Sequence, residues 1–201
     1  MILTHLNHQP QIHPTAYVAP TATVCGHVVI GSDCRIMHGA QLIAEGGSIV
    51  LGEACIIMEN AVIRSTARHA TALGNFCLVG PNAHLVGCTV EDEVFIATGA
   101  AIFHGARLGK GSEVRINGVV HLRSHLPPDA FVPIGWVAVG DPIQILPPDQ
   151  HNKIWEIQQR LNFPLFVYGI DRNELTMEKL TRQLAGALAD HREDTVIWIS
   201  D

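Results

Sequence analysis

The chain has 201 residues, a formal net charge of −6, 47% hydrophobic residues and only 5% aromatic residues. The acidic balance argues against a nucleic-acid-binding face, and no apolar run reaches the roughly 20 residues that a membrane-spanning helix needs. Residues 1–14 lack the basic start and apolar stretch of a secretory signal, so we expect a cytoplasmic protein. The five cysteines include no CxxC pair and predict no disulfide.

A branched aliphatic residue recurs at every sixth position over most of residues 12–137, interrupted by short insertions. A small residue usually follows four positions later, as at Ala16, Ala40 and Ala61. This is the pattern of a hexapeptide-repeat protein. The aliphatic positions are Ile12, Val18, Val24, Ile30, Ile36, Leu42, Leu51, Ile57, Ile63, Leu73, Val79, Leu85, Val90, Ile96, Ile102, Leu108, Val114, Val120, Leu126 and Val132.

The repeat predicts an all-β solenoid, in which each coil has three flat faces and buries its inner side only against neighbouring coils. With roughly 18 residues per coil, the region makes about seven coils. We therefore divide the chain into an N-terminal tail (1–11), the solenoid (12–146) and a C-terminal helical appendage (147–201). The small-residue positions include Cys34, Cys55 and Cys77, which we interpret as packing residues.

Glycines recur near the predicted corners of the coils, where a positive φ would be easy for them. They are Gly31, Gly52, Gly74, Gly80, Gly99, Gly109 and Gly118.

The appendage carries helical periodicity in two places. Residues 150–162 space Ile154, Ile157 and Leu161 on one stripe, and the helix is expected to end at Phe163–Pro164. A second helix is predicted over about 172–190. The last segment, 195–201, is apolar enough to add an edge strand or to dock across a subunit interface.

Three segments make the sequence similar to the γ-class carbonic anhydrase family: HGAQLIAEGGSIVLGE (38–53), NAVIRS (60–65) and LVGPNAHLVGCTVEDEVFIATGA (78–100). A V-G-D-P segment before the C-terminal helix (Val139–Pro142) fits the same family. The resemblance covers roughly residues 12–162. It implies a left-handed parallel β-helix and a homotrimer with zinc between adjacent subunits.

The resemblance fails at the zinc ligands. That family binds zinc through three histidines, and the corresponding positions here are Arg64, Pro81 and Val86. A catalytic zinc needs three protein ligands and an open position for water, and none of these side chains can serve as a ligand. The sequence therefore predicts no metal at the family positions.

Other histidines could form a shifted site. His69, His84 and His104 lie near the former one, and His84 and His104 are the candidate catalytic residues. The slip between Leu85 and Val90 leaves open whether His84 faces outward or into the shaft. Zinc is expected only if this shifted site exists, and the alternative is that these histidines are ordinary surface or interface residues.

Arg64 is the candidate ligand-binding residue, because a fixed cation at a subunit boundary could hold a small anion or small molecule there. The alternative is structural pairing with Glu45 or Glu59 of a neighbouring subunit.

A shorter resemblance links Ala40–Glu53 to the hexapeptide-repeat subunits of the dynactin pointed end, which implies a structural or binding role. Three functions therefore stay open: a trimeric binding or scaffold protein without the family zinc site, a metal-dependent enzyme with the shifted histidine site, and a hexapeptide acyltransferase or acetyltransferase. Against the last, the lysine expected after the Gly140–Pro142 turn is absent, because Ile143 and Gln144 follow.

Overall fold

The computed structural model describes residues 1–197, and most of that range forms short strands that repeat every coil. Within the described residues the strands are β1 (Ile2–Thr4), β2 (Gln11–Ile12), β3 (Tyr17–Val18), β4 (Thr23–Cys25), β5 (Val28–Ile30), β6 (Arg35–Ile36), β7 (Gln41–Glu45), β8 (Ile49–Leu51), β9 (Ile56–Ile57), β10 (Val62–Thr66), β11 (Thr71–Leu73), β12 (Leu78–Val79), β13 (His84–Val86), β14 (Thr89–Val90), β15 (Phe95–Ile96), β16 (Ala101–Ile102), β17 (Arg107–Leu108), β18 (Glu113–Val114), β19 (Val119–Val120), β20 (His125–Leu126), β21 (Phe131–Val132), β22 (Val137–Val139), β23 (Gln144–Leu146) and β24 (Thr195–Val196).

These strands build the three faces of a parallel β-helix. The first sheet has the order β23-β22-β19-β16-β13-β10-β7-β4-β1-β24, the second β2-β5-β8-β11-β14-β17-β20, and the third β21-β18-β15-β12-β9-β6-β3. Strands β2–β22 make seven complete coils, and β1 adds part of an eighth. The prediction of a left-handed β-helix of about seven coils is confirmed.

The repeated aliphatic residues form one continuous core along the shaft. Ile63 is typical: it lies in register between Leu42 and Leu85 on the neighbouring coils and is fully buried. Since each such residue contacts its counterparts above and below, the six-residue period directly produces the stacked core. Cysteines at small-residue positions are buried too, and Cys34 and Cys55 donate from Sγ to the carbonyls of Gly52 and Gly74.

The expectation that glycines supply the positive φ values at the corners of the coils is mostly wrong. Of the seven glycines predicted to exploit positive φ, only Gly99 does so, with φ 68°. Asn60, Asn82 and Asn117 supply the left-handed conformation at other corners. Most of the remaining glycines allow close approach between coils: a Cβ on Gly31 would lie 2.4 Å from the carbonyl oxygen of Gly52.

The N-terminal residues are part of the solenoid rather than a separate tail. Strand β1 pairs in parallel with β4 and antiparallel with β24. The predicted edge strand near the C-terminus is therefore present at Thr195–Val196, whereas residues 198–201 lie outside the described residues. The missed strand β1 falls outside the six-residue series, which begins only at Ile12.

Three α-helices follow the solenoid: α1 (His151–Gln158), α2 (Phe163–Tyr168) and α3 (Met177–Leu188). Short 3-10 turns lie at Pro148–Gln150, Gln159–Leu161, Arg172–Glu174 and Ala189–Glu193. Phe163–Pro164 ends the first predicted helix but also begins α2, because proline is well tolerated in the first turn of a helix. None of the helices in the described residues is long and apolar enough to cross a membrane.

The helices cover part of the first sheet. Ile157 of α1 packs closely against Gly140, directly after β22, since a Cβ added to this glycine would lie 3.1 Å from its side chain. Phe166 of α2 packs against the ring of His69, with centroids 4.6 Å apart. Helix α3 buries Leu180 and exposes most of its other side chains. The appendage therefore forms a roof over strands β7, β10, β13 and β16.

Candidate functional site

A cleft of about 550 Å³ lies between this roof and the first sheet. The sheet contributes polar and aromatic side chains to it, and the helices contribute mainly apolar ones. Here "the cleft" denotes the space lined by His5, Leu6, Glu45, Gly46, Arg64, Thr66, Ala67, Arg68, His84, Val86, Phe103, His104, Phe163, Val167, Tyr168, Gln183, Leu184, Ala187, Leu188 and Asp190. Its size and mixed lining are typical of a small-molecule site.

The former metal-ligand positions meet only partly in this cleft. Arg64 of β10 and Val86 of β13 are register partners on adjacent coils and both line the cleft. Pro81 lies in the turn between β12 and β13 and is not among the lining residues. Guanidinium, valine and proline side chains offer no lone pair to a cation. The family's zinc does not fit these residues.

An ion pair occupies the sheet side of the cleft. The Arg64 guanidinium donates from Nη2 to Oε1 of Glu45, which lies on the neighbouring strand β7 of the same chain. The side chains are 37% and 21% exposed, respectively, so this pair is open to solvent or a ligand. Glu59, the other predicted partner, forms no salt bridge within the described residues.

His84 faces the cleft. Its neighbour Leu85 is fully buried in the shaft, in register with Ile63 and Ile102, so His84 must point to the opposite side of β13. The slip in the repeat therefore follows Leu85. Burial lowers the pKa of the His84 imidazole, and the charge of Arg64 lowers it further.

His104 lies deeper than His84, at the turn after β16, and is only 8% exposed. Burial lowers the pKa of His104 to about 4, with smaller contributions from the charges of His69, His84 and Arg64. Its Nδ1 has no hydrogen-bond partner in the part of the chain that the structure describes. The imidazole is therefore neutral at neutral pH and a weak base.

His69 is tied to the roof. Its Nε2 lies 3.2 Å from the carbonyl oxygen of Phe166 on α2, and its ring meets that of His104 edge-on at 5.3 Å. Ligand atoms of His69, His84 and His104 do not converge within 4.8 Å of one another, whereas another set in residues 1–197 does. A shifted site completed by a neighbouring subunit stays a prediction.

That other set lies at one end of the cleft and escaped the sequence analysis. We call it the carboxylate-centred cluster: His5, Cys25, His191 and Asp194. Burial alone would raise the pKa of the Asp194 carboxyl, but hydrogen bonds from His191 and His5 lower it below its ordinary value. Burial, together with the charge of Asp194, raises the pKa of the Cys25 thiol to about 12. No local motif could reveal this set, because its members are up to 189 positions apart.

Comparison with known proteins agrees with the fold. The chain is 32% identical over 124 residues to γ-carbonic anhydrase 1 of Arabidopsis thaliana, a mitochondrial protein, covering 59% of this chain and 45% of that protein. It is 28% identical over 105 residues to the carnitine operon protein CaiE of Escherichia coli, covering 52% of this chain and 54% of that protein. The chain thus spans about half the length of the curated relatives it matches. No protein-family model matches the sequence.

Solved structures show the same architecture. A hexapeptide transferase family protein from Anaplasma phagocytophilum superposes with a TM-score of 0.52 at 20% identity, covering 94% of this chain and 93% of that one. A UDP-N-acetylglucosamine acyltransferase from Bacteroides fragilis superposes with a TM-score of 0.58 at 15% identity, covering 95% and 98%. At such identities the likeness concerns the fold alone. From the repeat, the β-helix and these relatives together, the chain is a γ-carbonic anhydrase-like hexapeptide-repeat protein.

Proposed function

We propose that the protein is a homotrimeric binding protein that holds a small, largely apolar carboxylate in its cleft and does not perform the zinc chemistry of the family it resembles. One observation carries this proposal. At one of that family's metal-ligand positions this chain has Arg64, which forms a solvent-accessible ion pair with Glu45 beside an apolar roof.

The lining supports a ligand with one charged end. Arg64 and Arg68 are the cations of the cleft, and a guanidinium binds a carboxylate through two parallel hydrogen bonds. Leu184 and Leu188 of α3 offer an apolar surface to the remainder of such a ligand. The ligand's carboxylate would replace that of Glu45 on Arg64. The existing ion pair is therefore the same kind of interaction as the one proposed for the ligand.

Calorimetry with octanoate, and with octanol as the uncharged analogue, tests this proposal. We expect octanoate to bind with a Kd below about 1 mM and octanol about tenfold more weakly. Arg64→Gln should remove the preference for octanoate, and Leu184→Trp, which fills the cleft, should abolish the binding of both. Octanoate affinity that is undetectable, or that neither substitution changes, would overturn the proposal.

The third sheet supports the trimer. Its outward column contains five aromatic or large aliphatic residues and two charged ones, in the register order Tyr17, Arg35, Ile56, Leu78, Phe95, Glu113 and Phe131. The three aromatic side chains of the column are 41–49% exposed in the single chain. A surface on which several large apolar side chains lie among a few charged ones is typical of a protein–protein contact. We assign it to a neighbouring copy.

Acyl transfer is the second candidate, because two histidines line an apolar cleft. Acyltransferases of this fold class use a histidine base, and both His84 and His104 face the cleft. The low pKa of His104 makes it a poor base at neutral pH, which is why we rank this function lower. Calorimetric binding of an acyl-CoA, weakened by His104→Ala, would promote it.

The location in the cell stays a prediction. A cytoplasmic protein was expected from the sequence, whereas the plant relatives are mitochondrial by name.

A further inference from the structure

Strand register brings the members of the carboxylate-centred cluster together. Thr4 of β1 is paired with Thr195 of β24, and because the strands are antiparallel, His5 comes to lie opposite Asp194. Leu3 is paired with Cys25 of β4, which places the thiol beside the same end of β1. The 3-10 turn Ala189–Glu193 then presents His191 three residues before the aspartate.

The potential ligand atoms already converge. His5 Nδ1 lies 2.7 Å from Oδ1 of Asp194, and His191 Nδ1 lies 2.8 Å from its Oδ2. The Sγ of Cys25 is 3.6 Å from that second oxygen. One ligand atom of each residue lies within 4.8 Å of all the others. In a tetrahedral zinc site the ligand atoms are about 3.3–3.8 Å apart. Side-chain shifts of about 1 Å would bring the four ligand atoms to these separations.

From this geometry we propose that the carboxylate-centred cluster is a zinc site. Two imidazoles, a thiolate and a carboxylate form a ligand set of borderline softness that suits Zn²⁺ rather than Mg²⁺ or Ca²⁺. Four protein ligands complete a tetrahedron and leave no open position, which is the arrangement of a structural zinc. On binding, the Cys25 thiol gives its proton to the solvent and the thiolate takes the metal.

The surroundings fit a bound cation. His5 and Cys25 are almost fully buried, whereas the side chain of His191 is 30% exposed and leaves a path of entry. The Nε2 of His191 lies 3.7 Å from Oε1 of Glu45. An imidazole that binds metal through one nitrogen commonly points its other N–H at a carboxylate, which orients the ring. Glu45 is placed to do this.

A zinc here would have a structural consequence for the cleft. His5 and Cys25 belong to the first coils, whereas His191 and Asp194 follow α3 directly. The metal would therefore fasten the end of the roof to the solenoid. This site does not depend on the carboxylate ligand proposed above, and it is distinct from the family position at Arg64, Pro81 and Val86.

Cobalt titration of the metal-free full-length chain tests the zinc site, because Co²⁺ takes the same geometry and reports a thiolate ligand by a near-ultraviolet charge-transfer band. We expect one cobalt per chain, displaced by one zinc, with this band present. Cys25→Ser should remove the band. His191→Ala, which changes a partly exposed residue outside the solenoid and should leave the fold intact, should weaken cobalt binding by about tenfold or more.

Two control variants match these changes. Cys55→Ala removes another buried thiol at a corner where alanine is common in the other coils, and His27→Ala removes an exposed histidine. Both should keep the band and the affinity. Wild-type protein without the band, a band that survives Cys25→Ser or disappears in Cys55→Ala, or unchanged cobalt affinity in His191→Ala would each overturn the proposal.

Discussion

Arg64 forms an ion pair with Glu45, which lies on the adjacent strand of the first sheet two residues beyond Ile43, the register partner of Arg64. The pair places one positive and one negative side chain in the cleft, since Arg64 and Glu45 both line it. Glu45 also approaches His191. Glu45 therefore lies between the proposed ligand site and the proposed zinc site.

A double-mutant cycle measures the strength of that pair. Arg64→Gln and Glu45→Gln are each expected to lower the free energy of unfolding by about 1 kcal/mol, because both side chains are partly exposed and solvent screens the pair. The double variant should lose less than the two single losses together. Urea unfolding of the metal-free protein gives these values, and fully additive losses would show that the pair contributes nothing.

A pair of glycine substitutions tests the corner geometry. Gly99→Ala should lower the free energy of unfolding by about 1–3 kcal/mol, because φ is 68° and the added Cβ would lie 2.3 Å from Oδ1 of Asn117. Gly186→Ala, in the exposed helix α3 with open space around it, should instead raise it by about 0.5–1 kcal/mol. Equal effects of the two substitutions on the urea midpoint would contradict this assignment.

Acid should destabilise the protein before its carboxylates titrate. Burial lowers the pKa of both His104 and His121 to about 4, below the value of about 6.5 in an unfolded chain. Between these values the unfolded chain binds more protons than the folded one, so stability is full above pH about 6.5 and falls as the pH drops towards 4.

Urea midpoints measured from pH 7 to pH 4.5 check this dependence. His121→Asn removes one of the two groups and should flatten the decline, whereas His27→Asn on the exposed surface should follow the wild type. A decline of the same steepness in His121→Asn would assign the acid sensitivity to other groups.

The trimer is expected to depend on the aromatic column of the third sheet. Phe95→Glu and Phe131→Glu each place a charge in a contact that must exclude water, so the assembly should dissociate to single chains at micromolar concentration. Val50→Glu, at a comparably exposed position on the second sheet, is the matched control and should stay trimeric. Sedimentation equilibrium distinguishes the two, and a trimer that survives both phenylalanine changes would place the interface elsewhere.

The solenoid was predictable from the sequence because its interactions repeat at a fixed spacing. Ile63 contacts Leu42 and Leu85 because each coil places an aliphatic residue at the same point, and a periodic series records such contacts directly. The outward direction of His84 was not predictable, since it depends on where one residue is dropped between Leu85 and Val90.

The sequence predicted only the part of the cleft that the first sheet contributes. The resemblance to a known family identified Arg64 and Val86, which lie on one face of the solenoid. It did not predict that the C-terminal helices cover them. The carboxylate-centred cluster was invisible, because strand β1 lies outside the repeat and β24 reaches it from the other end of the chain. Such contacts arise from packing between distant segments. They produce no characteristic residue spacing that could be recognised as a motif in the sequence.

We propose that this chain combines a γ-carbonic anhydrase-like β-helix with an arginine, Arg64, at one of that family's zinc-ligand positions. Stopped-flow CO2 hydration by the zinc-supplemented protein tests it most directly. We expect a rate equal to that of zinc-containing buffer alone, because Arg64, Pro81 and Val86 cannot hold a catalytic zinc and the carboxylate-centred cluster would leave a bound zinc no open position. Hydration well above that rate, abolished by His84→Ala or His104→Ala, would contradict the account and establish a shifted catalytic site.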